Sequence, residues 1–149
     1  MHIVFVTTEL ATSNNPSGGL ASFMANMARI FVGKGHKVTV IVSLVKEQKL
    51  VFDAEVTLNS IYVDKKLWET FDKTASFLSL LRKDDKDEIR RTGINIYRSR
   101  QVLKTIRDIN KREKIDFIHY CNLGGLALCA DKRIPYCIRV SGFPNMGRG

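Results

Sequence analysis

Residues 2–43 run through an apolar segment, a glycine-marked loop, an amphipathic stripe and a second apolar segment, and this order constrains the fold more than any other feature. His2–Thr8 (HIVFVTT) is apolar at nearly every position, as expected of a strand buried on both faces of a parallel sheet. The loop Glu9–Gly19 carries Ser13-Asn14-Asn15-Pro16-Ser17-Gly18-Gly19, a cluster of turn-forming residues. Leu20, Phe23, Met24, Met27 and Phe31 then recur at the spacing of one buried helical stripe, with Ser22, Asn26 and Arg29 on the other side. Gly35 suits the left-handed position just past a helix C-terminus. Lys37–Ser43 (KVTVIVS) is β-branched and strand-like. A β-loop-α-β unit implies two parallel strands joined by a right-handed crossover.

The pattern continues less sharply. Leu50–Val63 alternates imperfectly through Val56, Leu58 and Ile61 and predicts one or two strands. Lys65–Arg91 holds Trp68, Phe71 and Phe77 before the charged run Arg82-Lys83-Asp84-Asp85-Lys86-Asp87-Glu88, and reads as two short helices around a solvated turn. Asn95–Lys114 regains helical order through Val102, Leu103, Ile106 and Ile109. Asp116–Cys121 (DFIHYC) reads as a buried strand, Asn122–Gly125 as a turn and Leu126–Lys132 as a short helix. Pro135–Ser141 (PYCIRVS) is a last strand before the loop Gly142–Gly149. Alternating strands and helices give an α/β domain of Rossmann-like, doubly wound type with a mainly parallel sheet.

At 149 residues the chain fits one domain. Its apolar runs fall far short of the about 20 residues that a membrane span needs. The start lacks a basic region and a cleavage site, so it reads as a strand rather than a signal peptide. Cys121, Cys129 and Cys137 are an odd number without paired metal-site spacing, which fits free thiols in a reducing cytoplasm. Charge is unevenly spread. Residues 1–64 balance Arg29, Lys34, Lys37, Lys46 and Lys49 against Glu9, Glu47, Asp53, Glu55 and Asp64, so the whole net charge of +9 sits in residues 65–149. Such asymmetry points to a polyanionic partner, whether a phosphate-bearing substrate, an anionic membrane or nucleic acid. Basic–aromatic motifs and nucleic-acid modules are absent, which disfavours the last of these.

In open α/β sheets ligands bind beyond the carboxyl ends of the strands. Three predicted loops leave such ends: Glu9–Gly19, Asn122–Gly125 and Gly142–Asn145. In the first, Gly18-Gly19 opens a helix, where unpaired N–H groups and the helix dipole favour an anion, and glycine permits close approach to the backbone. A tight turn is the plainer role for the same pair. The loop is too long, and its glycines too close together, for a dinucleotide fingerprint, and no Walker A motif is present. No carboxylate pair, Ser/His/Asp set or metal-ligand cluster stands out.

Taken together, MHIVFVTTEL, PSGGLASFMANMARIFVGKGHKVTVIVS, Asp116-Phe117-Ile118-His119 and Pro135–Gly142 resemble the N-terminal domain of retaining GT-B glycosyltransferases of the glycogen-synthase-like class, family 4. That family typically opens on a strand, a loop closed by Gly-Gly, an amphipathic helix and G-H-x-V-x-V, which Gly35–Val40 matches. Residues 50–95 add little to the likeness. The resemblance implies an acceptor-side domain facing a nucleotide-sugar domain that is missing from these 149 residues. It places Gly18, Gly19, Asn122, Ser141 and Gly142 around the donor and acceptor cleft. Glu9, His119, Cys121 and Arg139 are weaker candidates, and a structural role in an apolar strand is the simpler one for His119. The chain departs from the family where Cys121 replaces a second histidine, where Ser141 replaces the histidine before Gly142, and where Pro16 replaces a lysine of glycogen synthases.

The function implied is transfer of a sugar from a nucleotide sugar to a glycan or lipid-linked acceptor in polysaccharide biosynthesis, without an obligatory metal or cofactor, and with this domain inactive alone. It would operate in the cytoplasm, peripherally on an anionic membrane surface through Arg98, Arg100, Lys104, Arg107, Lys111, Arg112 and Lys114, unless those residues only form a solvated helix face. The alternative reading is a non-catalytic membrane-docking or binding subunit that recruits a separate catalytic domain.

Overall fold

The computed structural model describes residues 1–12, 18–44, 51–52, 55–82 and 85–140. Among these, five strands form one all-parallel sheet: β1 (His2–Thr7), β2 (Lys37–Leu44), β3 (Thr57–Tyr62), β4 (Phe117–Cys121) and β5 (Tyr136–Arg139). Their spatial order is β3-β2-β1-β4-β5. The chain winds outward from β1 through β2 to β3, then crosses to the other side for β4 and β5. Right-handed crossovers that travel in opposite directions place their helices on opposite faces. The class of the domain is therefore settled as α/β, Rossmann-like and doubly wound.

The apolar run of β1 is buried throughout because it is the central strand, paired to β2 on one side and β4 on the other. Phe5 lies between Val40 and His119, and Val6 between Ile41 and Tyr120. Helix α1 (Gly19–Gly33) covers the face carrying Phe5. Ala21, Met24, Ala25 and Ala28 are its buried residues, while Leu20, Phe23, Met27 and Phe31 are half-buried and pack around them. Three alanines and Met24 thus hold the line of closest approach, and the other large residues predicted from spacing flank it. The Gly35 N–H bonds to the Val32 carbonyl, and the His36 N–H bonds to that of Phe31. With Gly35 at φ 77°, this is the Schellman ending the sequence called for.

The region from 65 to 112 is where sequence and structure differ most. Instead of two short helices and a third starting at Asn95, the chain forms α2 (Lys65–Arg82) and one long α3 (Lys86–Arg112). Asp85 caps α3 through its side chain, which accepts from the Asp87 N–H, and Asp87 and Glu88 occupy the first turn. Anionic residues there favour the positive end of the helix, so the charged run encodes a helix start. Leu50–Val63 yields one described strand, β3. No helix forms over Leu126–Lys132; a short helical turn at Leu123–Gly125, with Gly124 and Gly125 at φ 67° and 59°, leads into further turns.

Helix α3 runs antiparallel to the strands. Near its end, Glu113 pairs with Lys37 at the amino end of β2, whereas Arg98 reaches the Leu44 carbonyl at the carboxyl end. Its 27 residues span roughly 40 Å at 1.5 Å per residue, about twice the length of β1. The segment before Arg98 therefore stands roughly 20 Å beyond the carboxyl edge of the sheet. There it packs on α2, with Phe71 edge-on to Tyr97 and Arg90 over the Trp68 ring. Among the described residues, no helix is long and apolar enough to cross a membrane.

Candidate functional site

The winding reverses between β1 and β4, and the loops leaving these two strands open the crevice of a doubly wound sheet. After β1, the Thr7 hydroxyl donates to the Glu9 carbonyl and accepts from the Glu9 N–H. This turns the chain before buried Leu10 anchors it in the core. After β4, Gly124 lies so close to Thr8 that a methyl group added to it would sit 3.2 Å from the Thr8 methyl. Thr8, Glu9 and the Asn122–Gly125 turn are thereby brought to one end of the sheet.

Gly18 and Gly19 stand at the start of α1 on the same edge. Gly18 is the N-cap, without a side-chain hydrogen bond, and no acidic residue occupies the first turn. The leading N–H groups of a helix find no partner within the helix itself. A side chain at either glycine would meet no described atom within 4 Å, and Gly18 has φ −61°. Neither space nor backbone conformation within the described residues demands glycine here. That distinguishes this pair from Gly124 and Gly125, which the local turn requires.

Arg139, the last residue of β5, sits beside Cys121 in register and lays its guanidinium 3.4 Å from the centre of the Phe23 ring. Phe23 belongs to the second turn of α1. Arg139 is half-buried and forms no ion pair among the described residues, and its Nη1 has no hydrogen-bond partner there. A cation thus lies one helical turn from Gly19.

All but two of the site residues singled out from sequence fall within the described residues. Gly18, Gly19, Glu9, Asn122 and Arg139 lie at the carboxyl edge. Cys121 ends β4, is buried, and directs its thiol at the Leu123 carbonyl. His119 lies two residues deeper, between the Phe5 and Phe23 rings. Burial there, with the nearby Arg139 charge, holds its imidazole below the ordinary histidine range. Among the described residues its Nδ1 has no hydrogen-bond partner. Ser141, Gly142 and the Gly142–Asn145 loop lie outside the described residues.

Sequence reasoning missed a second cationic position at this edge. The spacing groups Arg98 with a basic helix face, yet it is half-buried at the end of β2 and its buried Nε has no partner among the described residues. Arg100, Lys104, Arg107 and Lys111, by contrast, form an exposed stripe. The signal that separates Arg98 is its place one turn before the buried Val102. Among the described residues no group of His, Cys, Asp and Glu has the arrangement of a metal site. No protein-family model matches the chain, and no curated protein is close enough to match it.

Proposed function

We propose that this domain is the acceptor-side half of a GT-B glycosyltransferase, with a nucleotide-sugar domain opposite its carboxyl edge. The observation that carries this reading is the glycine-capped start of α1 at the topological switch point, where a side chain at Gly18 or Gly19 would meet no described atom within 4 Å and the Arg139 cation lies one turn away. Oriented N–H groups and a fixed positive charge suit a diphosphate whose negative charge grows as a sugar departs. The absence of side chains at 18 and 19 leaves room for a bulky donor against the backbone. The order of motifs that resembles family 4 supports the same reading. Catalysis in such a site leans on positioning between two walls, so this domain by itself is expected to transfer nothing.

Two assays test the proposal. Residues 1–149 incubated with UDP-, GDP- and ADP-hexoses and glycan or lipid-linked acceptors should give no transfer, and measurable transfer would overturn the two-domain reading. In an amide NMR titration, at least one of these donors at millimolar concentration should move the signals of Gly18–Ser22. Gly19→Val should remove that response with the melting temperature nearly unchanged. A panel in which no donor moves those signals, or a variant that loses folding and binding together, counts against a phosphate site at α1.

A further inference from the structure

The α2–α3 hairpin rises beside the crevice and encloses a pocket of about 210 Å³, lined by Trp68, Asp87, Arg90, Arg91, Ile94, Asn95 and Arg98. That is several times the roughly 30 Å³ share of one water molecule. Its charges are not balanced. Arg90 is occupied by Asp72 and Asp87, so the pocket's only carboxylate is already paired. Arg91 and Arg98 have no ion pair among the described residues. Arg98 is the unusual one. Among the described residues its hydrogen-bond partner is the Leu44 carbonyl at 3.5 Å, and its buried Nε donates to none of them. Burying part of a guanidinium with unused donors is costly unless an acceptor arrives.

Arg91, Asn95 and Arg98 recur at i, i+4 and i+7 and so share one face of α3. Asn95 also packs against Gly125, in the turn that follows β4, so the pocket opens beside the crevice. The basic cluster at the opposite edge of the sheet differs. There Arg107 and Arg133 already share Asp131.

We propose that Arg91, Asn95 and Arg98 form an oxyanion site for a phosphate group on the acceptor, with Trp68 as its apolar wall. Guanidinium donors bind phosphate through charge-assisted, often bidentate hydrogen bonds. The side-chain amide of Asn95 supplies a neutral donor between the two cations. That the oxyanion belongs to an acceptor rests on the glycosyltransferase reading. That it binds here does not, because binding requires neither donor nor transfer.

The experiment uses the intact chain and inorganic pyrophosphate, followed by calorimetry and amide NMR. Saturable binding is expected, with shifts centred on Ile94–Ser99. Arg98→Gln should weaken it about tenfold or more, the usual consequence of losing a charged hydrogen bond. Arg91→Gln lies on an exposed residue, keeps the test alive if the first variant fails to fold, and should weaken binding about threefold. Shifts confined to the start of α1 or to the Arg107–Arg133 edge would overturn the proposal, as would undiminished affinity in both variants. A soluble hexose phosphate and vesicles containing phosphatidic acid then separate the sources. Arg98-dependent binding to either supports the site and identifies which source it takes. Pyrophosphate, hexose phosphate and vesicles all failing to bind the wild type would end it.

Discussion

His119 illustrates how the same residue reads differently as a letter and as a neighbour. In the sequence it stands in a strand that resembles a glycosyltransferase motif; in the structure it is held between Phe5 and Phe23, two residues below the crevice. The rings that enclose it come from positions 96 and 114 residues earlier, contacts that strand periodicity does not reveal. Burial first, and the Arg139 charge beside it, lower its proton affinity in the fold. An unfolded histidine takes its proton near pH 6.5. Between that pH and the lower folded value the unfolded chain binds more protons, so stability is full above about pH 6.5 and declines as pH falls. Urea midpoints at pH 7.5 and 5.5 should therefore fall further apart for wild type than for His119→Phe. Equal separation in both proteins would show that the burial of His119 costs no proton. Gly18-Gly19 was legible as a helix start from its letters, but that no described atom crowds it was not.

At the scale of elements, β1, α1 and β2 were readable to within a residue or so because each carries one period and a clear terminator. The hairpin of α2 and α3 was not. Its helices bury part of their apolar surface against each other, as Phe71 does against Gly93 and Tyr97, so neither shows a single stripe facing the sheet. What joins α3 to the crevice is also cryptic in sequence. Fully buried Ser99 donates to the Leu126 carbonyl at 3.0 Å and accepts from the Cys129 N–H at 2.7 Å, clipping the segment after β4 onto the helix. Ser99→Ala removes both bonds and leaves backbone groups to be satisfied elsewhere. A loss of about 1–3 kcal/mol is expected, seen as a lowered thermal midpoint of roughly 2–4 °C per kcal/mol. Faster amide exchange should follow around Leu126–Cys129. A melt unchanged from wild type would mean that water replaces the clip.

Across the whole molecule, ion pairs of Asp72, Glu113 and Asp131 tie outlying parts together, and the proton affinity of each of these three carboxylates is lowered. Asp72 of α2 is lowered by its hydrogen bonds to Lys86 and Arg90 of α3, and Glu113 by its bond to Lys37 of β2. Asp131 is lowered furthest, chiefly by the Arg133 guanidinium, then by the Arg133 N–H and by Arg107. The three differ in exposure: the Asp131 side chain is 7% exposed, against 36% for Asp72 and 45% for Glu113. Solvent and salt screen the two outer pairs, so Asp131 is expected to carry most of the effect. A carboxylate whose folded pKa is depressed stabilises the fold above its unfolded value near 4. That contribution is lost as pH falls through the folded value, because the unfolded chain takes up the proton first. Protonation also raises a net charge that is already +9, adding self-repulsion in the same direction. Thermal midpoints should be nearly level from pH 7 to 6 apart from the histidine contribution, then fall steeply below about pH 4. Asp131→Asn should melt lower than wild type at pH 7, by more than Asp72→Asn or Glu113→Gln. The gap should narrow as pH drops below about 4. It should also survive 1 M salt better than the gaps of the two outer variants. An Asp131→Asn protein with the wild-type midpoint at pH 7, or with a gap that widens in acid, would remove Asp131 as the clasp between α3 and the chain leading into β5.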